Sequence, residues 1–240
     1  MITLFCLLAL SGIATGKDLL FQSLEKQATL IELFTAEGCS TCPAAEEWLG
    51  RLQADPGLWK EIVPVAFHVD YWDRRGWKDR FASPAYTQRQ REYSAAWNTG
   101  SPYTPAFAVN GREWRAGGKL SSGSGPNVGR LKVSRASTGR LEITYSPSAA
   151  SDEQWDIHLA LLGNGLVSNV RAGENAGKAL RHNFTVLKYD RMRMSGDNNT
   201  VRAEGDMPRT NEKASRLALA AWVTKHNQIV PIQATGGWLP

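Results

Sequence analysis

Thr29-Leu-Ile-Glu-Leu-Phe-Thr35 runs through Ala36-Glu-Gly38 into Cys39-Ser-Thr-Cys42-Pro43, and the reading of this stretch decides the fold. The first part is a short apolar run that ends at a glycine-containing turn, the pattern of a buried strand. Helical spacing follows at once: Ala45, Trp48, Leu49 and Leu52 recur at three and four residues and put one apolar stripe on a helix beginning near Ser40. Pro43 is tolerated because the N–H groups of a first helical turn have no intrahelical partner. The two cysteines thus fall at a strand-to-helix junction, where amide N–H groups and the helix dipole stabilise a thiolate, the reactive form of cysteine. On this reading Cys39 stands at the exposed end and attacks, and Cys42, one turn in, resolves the mixed disulfide. Glu37, Glu46 and Glu47 lie close by in sequence, and their like charge limits the fall in thiol pKa. A moderate reductant or an isomerase-like site is expected before a strong oxidant.

Working outward, Ile62 to Val69 reads as a second strand, and the polar, aromatic stretch Tyr71 to Phe81 as a loop. Ser83-Pro84 has the form of an N-cap followed by a first-turn proline, opening a helix on which Tyr86, Tyr93 and Trp97 share a face until Gly100. Pro105 to Val109, Asn110-Gly111 and Arg112 to Arg115 form a hairpin signal, since Asn-Gly supplies the positive φ angles of a type I′ turn. The order is β-α-β-α-β-β. Gly117-Gly118 and Ser121 to Pro126 mark a linker-like change in composition. Beyond it the period becomes two: Leu141, Ile143 and Tyr145 alternate with polar residues, as do Trp155, Ile157, Leu159 and Leu161. Phe184 and Val186, the run Leu217 to Val223, and Ile229 to Gln233 after a His226-Asn227 loop add further strands. The second half therefore reads as mostly β, in the manner of a small antiparallel sandwich.

At this point Leu30 to Pro43 resembles the first strand and active-site turn of thioredoxins. Gly100-Ser-Pro-Tyr-Thr104-Pro105-Ala-Phe-Ala-Val-Asn-Gly111 is similar to the thioredoxin segment in which a cis-proline precedes a strand and a tight turn. The resemblance implies a cis Thr104–Pro105 bond and places Thr104 and Pro105 beside Cys39 and Cys42, where the neighbouring backbone receives an extended peptide. Glu32-Leu-Phe-Thr, Gly38-Cys-Ser-Thr-Cys-Pro, Phe67-His-Val-Asp-Tyr-Trp72, Gly76-Trp-Lys-Asp, Phe81-Ala-Ser-Pro and Tyr103-Thr-Pro together resemble a family of secreted bacterial thioredoxin-like proteins of unknown function. The segment Gly173-Glu-Asn-Ala-Gly177 fits that family's second part. The expected architecture is an α/β thioredoxin-like N-terminal domain over 25–120 followed by a mostly β, antiparallel sandwich-like C-terminal domain over 131–240. Three features depart from thioredoxins, one of them the long insertion from Asp70 to Gly100 between the second strand and Pro105. Glu32 lies seven residues before Cys39, where thioredoxins carry their buried acid six before, and the residue preceding the first cysteine is Gly38 instead of tryptophan.

Composition is that of an ordinary globular chain of 240 residues, 42% hydrophobic and 21% charged. The net charge of +5, 28 basic minus 23 acidic, is spread along the chain without the basic run and interleaved aromatics that nucleic-acid binding needs. Met1 to Ser11 is apolar and Gly12 to Gly16 small, the form of a signal peptide over 1–16, although it lacks a basic start. It falls short of the roughly 20 apolar residues of a membrane span. A periplasmic or secreted location is expected, with no stable membrane anchor after cleavage. Of three cysteines Cys6 leaves with this segment, so the mature chain keeps one pair for chemistry in an oxidising compartment.

Thiol–disulfide exchange with exported protein thiols or disulfides is the expected activity, with Cys39 and Cys42 catalytic and no cofactor assigned. Thr104, Pro105, His68, Asp70 and Trp72 are the expected substrate-binding residues, His68 at the end of the second strand and Asp70 and Trp72 in a lip over the disulfide. Two alternatives stand beside this. One is a secreted binding protein with a structural disulfide; the other is copper or zinc handling by Cys39, Cys42 and His68, although no metal site is assigned. Glu32 reads either as a buried proton acceptor or as a strand-edge carboxylate. The other histidines, His158, His182 and His226, have no motif around them, and oligomeric state is left open.

Overall fold

The computed structural model describes residues 18–115, 120, 123 and 125–240. The expected signal peptide and most of the expected linker lie outside the described residues. In chain order the elements are β1 (Asp18–Gln22), β2 (Thr29–Thr35), α1 (Cys42–Arg51), β3 (Ile62–His68), α2 (Pro84–Trp97), β4 (Ala106–Val109), β5 (Arg112–Trp114), β6 (Gly129–Arg135), β7 (Leu141–Pro147), β8 (Trp155–Asn164), β9 (Leu166–Asn169), β10 (Ala179–His182), β11 (Thr185–Arg193), β12 (Ser195–Gly196), β13 (Val201–Gly205), β14 (Arg216–Lys225) and β15 (Pro231–Trp238). Short 3-10 turns occupy Leu52–Ala54 and Asp70–Arg75, the latter in the stretch read as a loop. Ser83 caps α2 by accepting the Ala85 N–H, and the helix ends at Asn98 in the left-handed conformation, two residues before the expected Gly100.

The sheet connections decide the architecture. β2 runs parallel to β3 from Thr29↔Ile62 to Thr35↔His68 and antiparallel to β4, which pairs with β5. β3 does not end the sheet: its other edge meets β11 in parallel at Thr185↔Ala66, and the Ala66 N–H donates to the Phe184 carbonyl at 2.8 Å. From β11 the sheet continues antiparallel through β8, β14 and β15, giving the eight-stranded order β15-β14-β8-β11-β3-β2-β4-β5. A five-stranded sheet, β1-β6-β7-β13-β12, faces it, and β9 and β10 form a separate pair.

The expectation of an α/β thioredoxin-like N-terminal domain followed by a separate sandwich-like domain is corrected by these connections. The described residues are mostly β, with 43% of them in strands and 15% in helix, and no such N-terminal domain is evident. A single sheet takes strands from both halves, and β1, near the start, pairs with β6 in the opposite sheet. The physical reason lies in burial on two faces. Every residue of β8 is buried: Ala160 and Leu162 join the core under β2, β3 and α1, while Ile157 and Leu159 join a second core with Leu131, Val133, Ile143 and Tyr145 of the five-stranded sheet. A strand apolar on both faces belongs inside a covered sheet, where it serves two layers at once.

Candidate functional site

Cys39 and Cys42 form a disulfide, their Cα atoms 5.4 Å apart. Cys42 is the first residue of α1, with Thr41 at the N-cap, so the helix starts two residues later than the apolar spacing indicates. The turn before it is held by the Cys39 N–H donating to the Ala36 carbonyl at 3.1 Å and the Cys42 N–H to the Cys39 carbonyl at 3.3 Å. The Thr41 hydroxyl lies 3.5 Å from Cys39 Sγ. Cys39 is 1% exposed and Cys42 0%, which corrects the expectation of an exposed attacking sulfur.

Two segments account for the burial. Trp72, in the 3-10 turn after β3, packs over Gly38, where a Cβ would lie 3.3 Å from Trp72 Cβ. Its indole N–H donates to Thr104 Oγ1 at 2.7 Å, and the Arg75 guanidinium sits 4.4 Å over its ring. From the other side comes the strap between β9 and β10. Asn175 is its buried polar residue, and its Nδ2 donates to the carbonyls of Glu37 at 2.8 Å and Cys39 at 2.9 Å. The adjacent Glu174 accepts the Ser40 N–H at 3.2 Å, and the Ser40 side chain together with this N–H holds its carboxyl below the usual range. Gly173 and Gly177, the glycines of the segment singled out in the sequence, both take positive φ and frame this strap.

An apolar groove of about 680 Å³ opens beside the disulfide turn, lined by Thr41, Trp48, Tyr103, Pro105, Phe107 and Trp114, with Arg51 and Arg115 adding positive charge. Its aromatic floor is built by Trp48 against Trp114 at 5.0 Å and against Phe107 at 5.2 Å between centroids. The Thr104–Pro105 bond is cis, as the resemblance implied, and Pro105 forms part of the wall. Asp70 and His68 are not among its lining residues. The Asp70 carboxylate accepts the Thr87 hydroxyl at 2.6 Å, which ties the 3-10 turn to α2, and His68 is wholly buried. Trp48, Phe107 and Trp114 escaped the sequence reading because aromatics at helical and alternating spacing carry the same pattern whether they face a core or a groove.

Beneath the turn lies a buried polar cluster. His182, the last residue of β10, has Nδ1 2.5 Å from Glu46 Oε2 and Nε2 3.2 Å from Glu37 Oε1. The Thr35 hydroxyl donates to Glu46 Oε1 at 2.7 Å and the Trp77 indole N–H to Glu37 Oε2 at 2.5 Å. His68 Nδ1 meets Asp79 Oδ2 at 2.7 Å, and Asp79 also accepts the N–H groups of Glu37 and Phe81. Sequence reasoning missed His182 and Asp79, which lie far from the cysteine motif along the chain. Two of the three carboxylates expected to repel a thiolate are thus paired with an imidazole; Glu47 points to solvent and pairs with Arg51.

Burial alone lowers the pKa of His182, but the bonds from Glu37 and Glu46 outweigh it and raise it to about 10. Burial raises Glu46 and Asp79, and the imidazoles of His182 and His68 respectively outweigh it, so both end below their ordinary range. For His68, likewise, burial is outweighed by Asp79 and the pKa rises. The stabilisation carried by His182 is complete below its unfolded value of 6.5 and is lost as pH climbs toward about 10. That carried by Glu46 is complete above its ordinary 4.5 and is lost as pH falls. In a chelator-containing buffer, thermal unfolding midpoints are expected to peak between these limits and fall from pH 7 to 9; His182→Gln flattens the alkaline fall, and an unchanged slope contradicts the assignment.

Among the described residues no helix is long and apolar enough to cross a membrane. No curated protein matches the sequence. Among solved structures, protein AGR_C_4864 of Agrobacterium tumefaciens is 22% identical over 90% of this chain and 95% of its own, with a TM-score of 0.60. HBP35 of Porphyromonas gingivalis is 16% identical over 89% of this chain and 76% of its own, with a TM-score of 0.61. At these identities the likeness is one of fold. The family described as "Protein of unknown function (DUF1223)" matches residues 30–224, which take in the disulfide turn, the strap and the buried cluster, and the chain belongs to that family.

Proposed function

We propose that this chain is an exported thiol–disulfide exchange protein whose Cys39–Cys42 pair reacts with the thiols or disulfides of other exported proteins. The observation that carries this reading is a disulfide at the head of a helix, next to an apolar groove of about 680 Å³ that Thr41 and the cis-proline Pro105 line. A substrate thiolate attacks Cys39 Sγ, forming a mixed disulfide as the Cys39–Cys42 bond breaks. The Cys42 thiolate leaves at the first position of α1, where the helix N-terminus stabilises it. A second substrate thiol then attacks the substrate sulfur of the mixed disulfide and expels Cys39. The substrate is oxidised by two electrons, this chain is left as the dithiol, and the reverse sequence reduces a substrate disulfide. The signal-like start and the single remaining cysteine pair support export.

Exchange requires the strap to open, because both sulfurs are buried when Asn175 is seated. Opening also removes the Glu174 carboxylate from the Ser40 N–H, which frees that donor at the moment thiolate forms. Asn175→Ala deletes two hydrogen bonds worth about 1 kcal/mol each, so the rate of disulfide reduction by a small dithiol is expected to rise about 10- to 30-fold. Quenched alkylation followed by mass spectrometry measures this rate, and an unchanged rate removes the strap as gate.

The burial itself favours a second reading, a permanently oxidised structural disulfide. Titration against a glutathione or dithiol buffer, with an insulin reduction assay on wild type and Cys39→Ser, separates the two. Exchange predicts reversible titration and activity lost in the variant; equal activity in both proteins, or a disulfide resistant to reductant until the chain unfolds, establishes the structural role.

A further inference from the structure

Three elements converge beneath the disulfide turn, each contributing one side chain: Glu46 from α1, His68 from the end of β3 and His182 from the end of β10. All three are buried, and one ligand atom from each lies within 4.8 Å of the others. We propose that Glu46, His68 and His182 bind a divalent transition-metal ion of the zinc class, in a site separate from the cysteines.

The geometry shows a prepared ligand set. Metal-bound imidazoles characteristically use one ring nitrogen for the metal and the other for an orienting carboxylate. His68 has that arrangement, and His182 approaches it through an ion-pair contact. His68 Nδ1 is held by Asp79 at 2.7 Å, and His68 Nε2 is buried with no hydrogen-bond partner. His182 Nε2 faces Glu37 at 3.2 Å, which leaves Nδ1 on the Glu46 side. Glu46 has one oxygen fixed by Thr35 and the other toward His182. The orienting groups are held in turn: Glu37 by the Trp77 indole, Asp79 by two backbone N–H groups. An ion-pair network between histidines and carboxylates describes the contacts of His182 and of His68 Nδ1, but it leaves the buried His68 Nε2 with neither an ion-pair nor a hydrogen-bond partner, and a metal would satisfy it.

Two imidazoles and one carboxylate are the donor set of zinc sites that keep a fourth position open. Ligands about 2.0 Å from a tetrahedral ion stand about 3.3 Å apart, so the 2.5 Å between His182 Nδ1 and Glu46 Oε2 has to open by less than 1 Å. Access is available as well, because Glu46 and His182 both line a pocket of about 430 Å³ between α1 and β10. The two sulfurs are joined to each other, so the ligands gathered around His68 differ from the Cys39, Cys42 and His68 set considered from sequence.

The test uses the full mature chain, stripped with chelator and titrated with zinc or cobalt alone, in both oxidised and reduced states. One ion per chain is expected, with cobalt giving the visible bands of a four-coordinate nitrogen/oxygen site and no thiolate charge-transfer band in either state. Zinc at a hundred times Kd is expected to raise the unfolding midpoint by about 5–10 °C. Glu46→Gln or His182→Gln should weaken binding at least 100-fold. Should these variants fail to fold, Asp79→Asn keeps all three ligands and should cost about 10- to 100-fold in affinity by freeing the His68 ring. Absence of stoichiometric binding, a thiolate band, or affinity unchanged in the folded variants overturns the site.

Discussion

Cys42→Ser is expected to turn exchange into covalent capture: turnover falls by on the order of 10³ or more, while Cys39 accumulates as a mixed disulfide with its substrate. Cys42 is wholly buried at the first position of α1, and Cys39 sits in the preceding turn with its carbonyl held by Asn175. Of the two sulfurs, Cys39 is the one released toward the groove when the strap lifts, since Asn175 bonds its backbone and the Thr41 hydroxyl beside its sulfur lines the groove. Serine at 42 cannot attack the mixed disulfide, so the intermediate persists. Non-reducing electrophoresis and mass spectrometry of Cys42→Ser after incubation with a peptide disulfide, which the Cys39 thiolate attacks with release of the peptide's other thiol, measure the adduct. Cys39→Ser should capture at least ten times less, because Cys42 stays covered by its own helix. Equal capture by both variants inverts the assignment of nucleophile, and capture by neither places the disulfide in a structural role.

Local elements were legible because each is written in adjacent residues. The run Thr29 to Thr35, the stripe Ala45/Trp48/Leu49, the Ser83-Pro84 cap and the Asn110-Gly111 turn all correspond to elements in place. The way the halves join was not legible, because it depends on one strand edge. Nothing local in Ile62 to His68 says whether its outer edge is free or paired, and β11, which pairs it, lies more than a hundred residues away. The same distance hid the site. Asn175 and Glu174 reach the disulfide turn from a strap whose other residues, Val170 apart, are exposed or half-buried, so its composition reads as an ordinary surface loop. His182 carried no sequence signal, since its partners Glu37 and Glu46 belong to a motif that was read for its cysteines.

Glu32 gives the other large effect: it is buried, as one of its two sequence readings had it, and not at a strand edge, as the other did. It is fully buried in β2, between two paired strands, and its carboxylate receives Arg89 Nε at 2.6 Å and the Tyr93 hydroxyl from successive turns of α2. The Arg89 guanidinium also stands 5.3–5.8 Å from the ring centroids of Phe67, Tyr93, Tyr189 and Trp222, which connects α2 to strands from both halves of the chain. Burial by itself lowers the Arg89 pKa, and Glu32 more than reverses this, so the guanidinium stays charged. Arg89→Met strands a carboxylate in that interior and is expected to cost about 3–5 kcal/mol, a fall in unfolding midpoint of about 10 °C or more. Glu32→Gln strands the guanidinium and should cost a similar amount. The double variant should recover most of the loss, because a buried ion pair is held in place chiefly by the penalty for breaking it and adds little net stability of its own. Denaturant titration of the three variants measures the coupling between the two positions. A coupling below about 1 kcal/mol would show that the side chains act independently, and the role of Glu32 would then have to be sought in chemistry instead of in fastening α2 to the sheet.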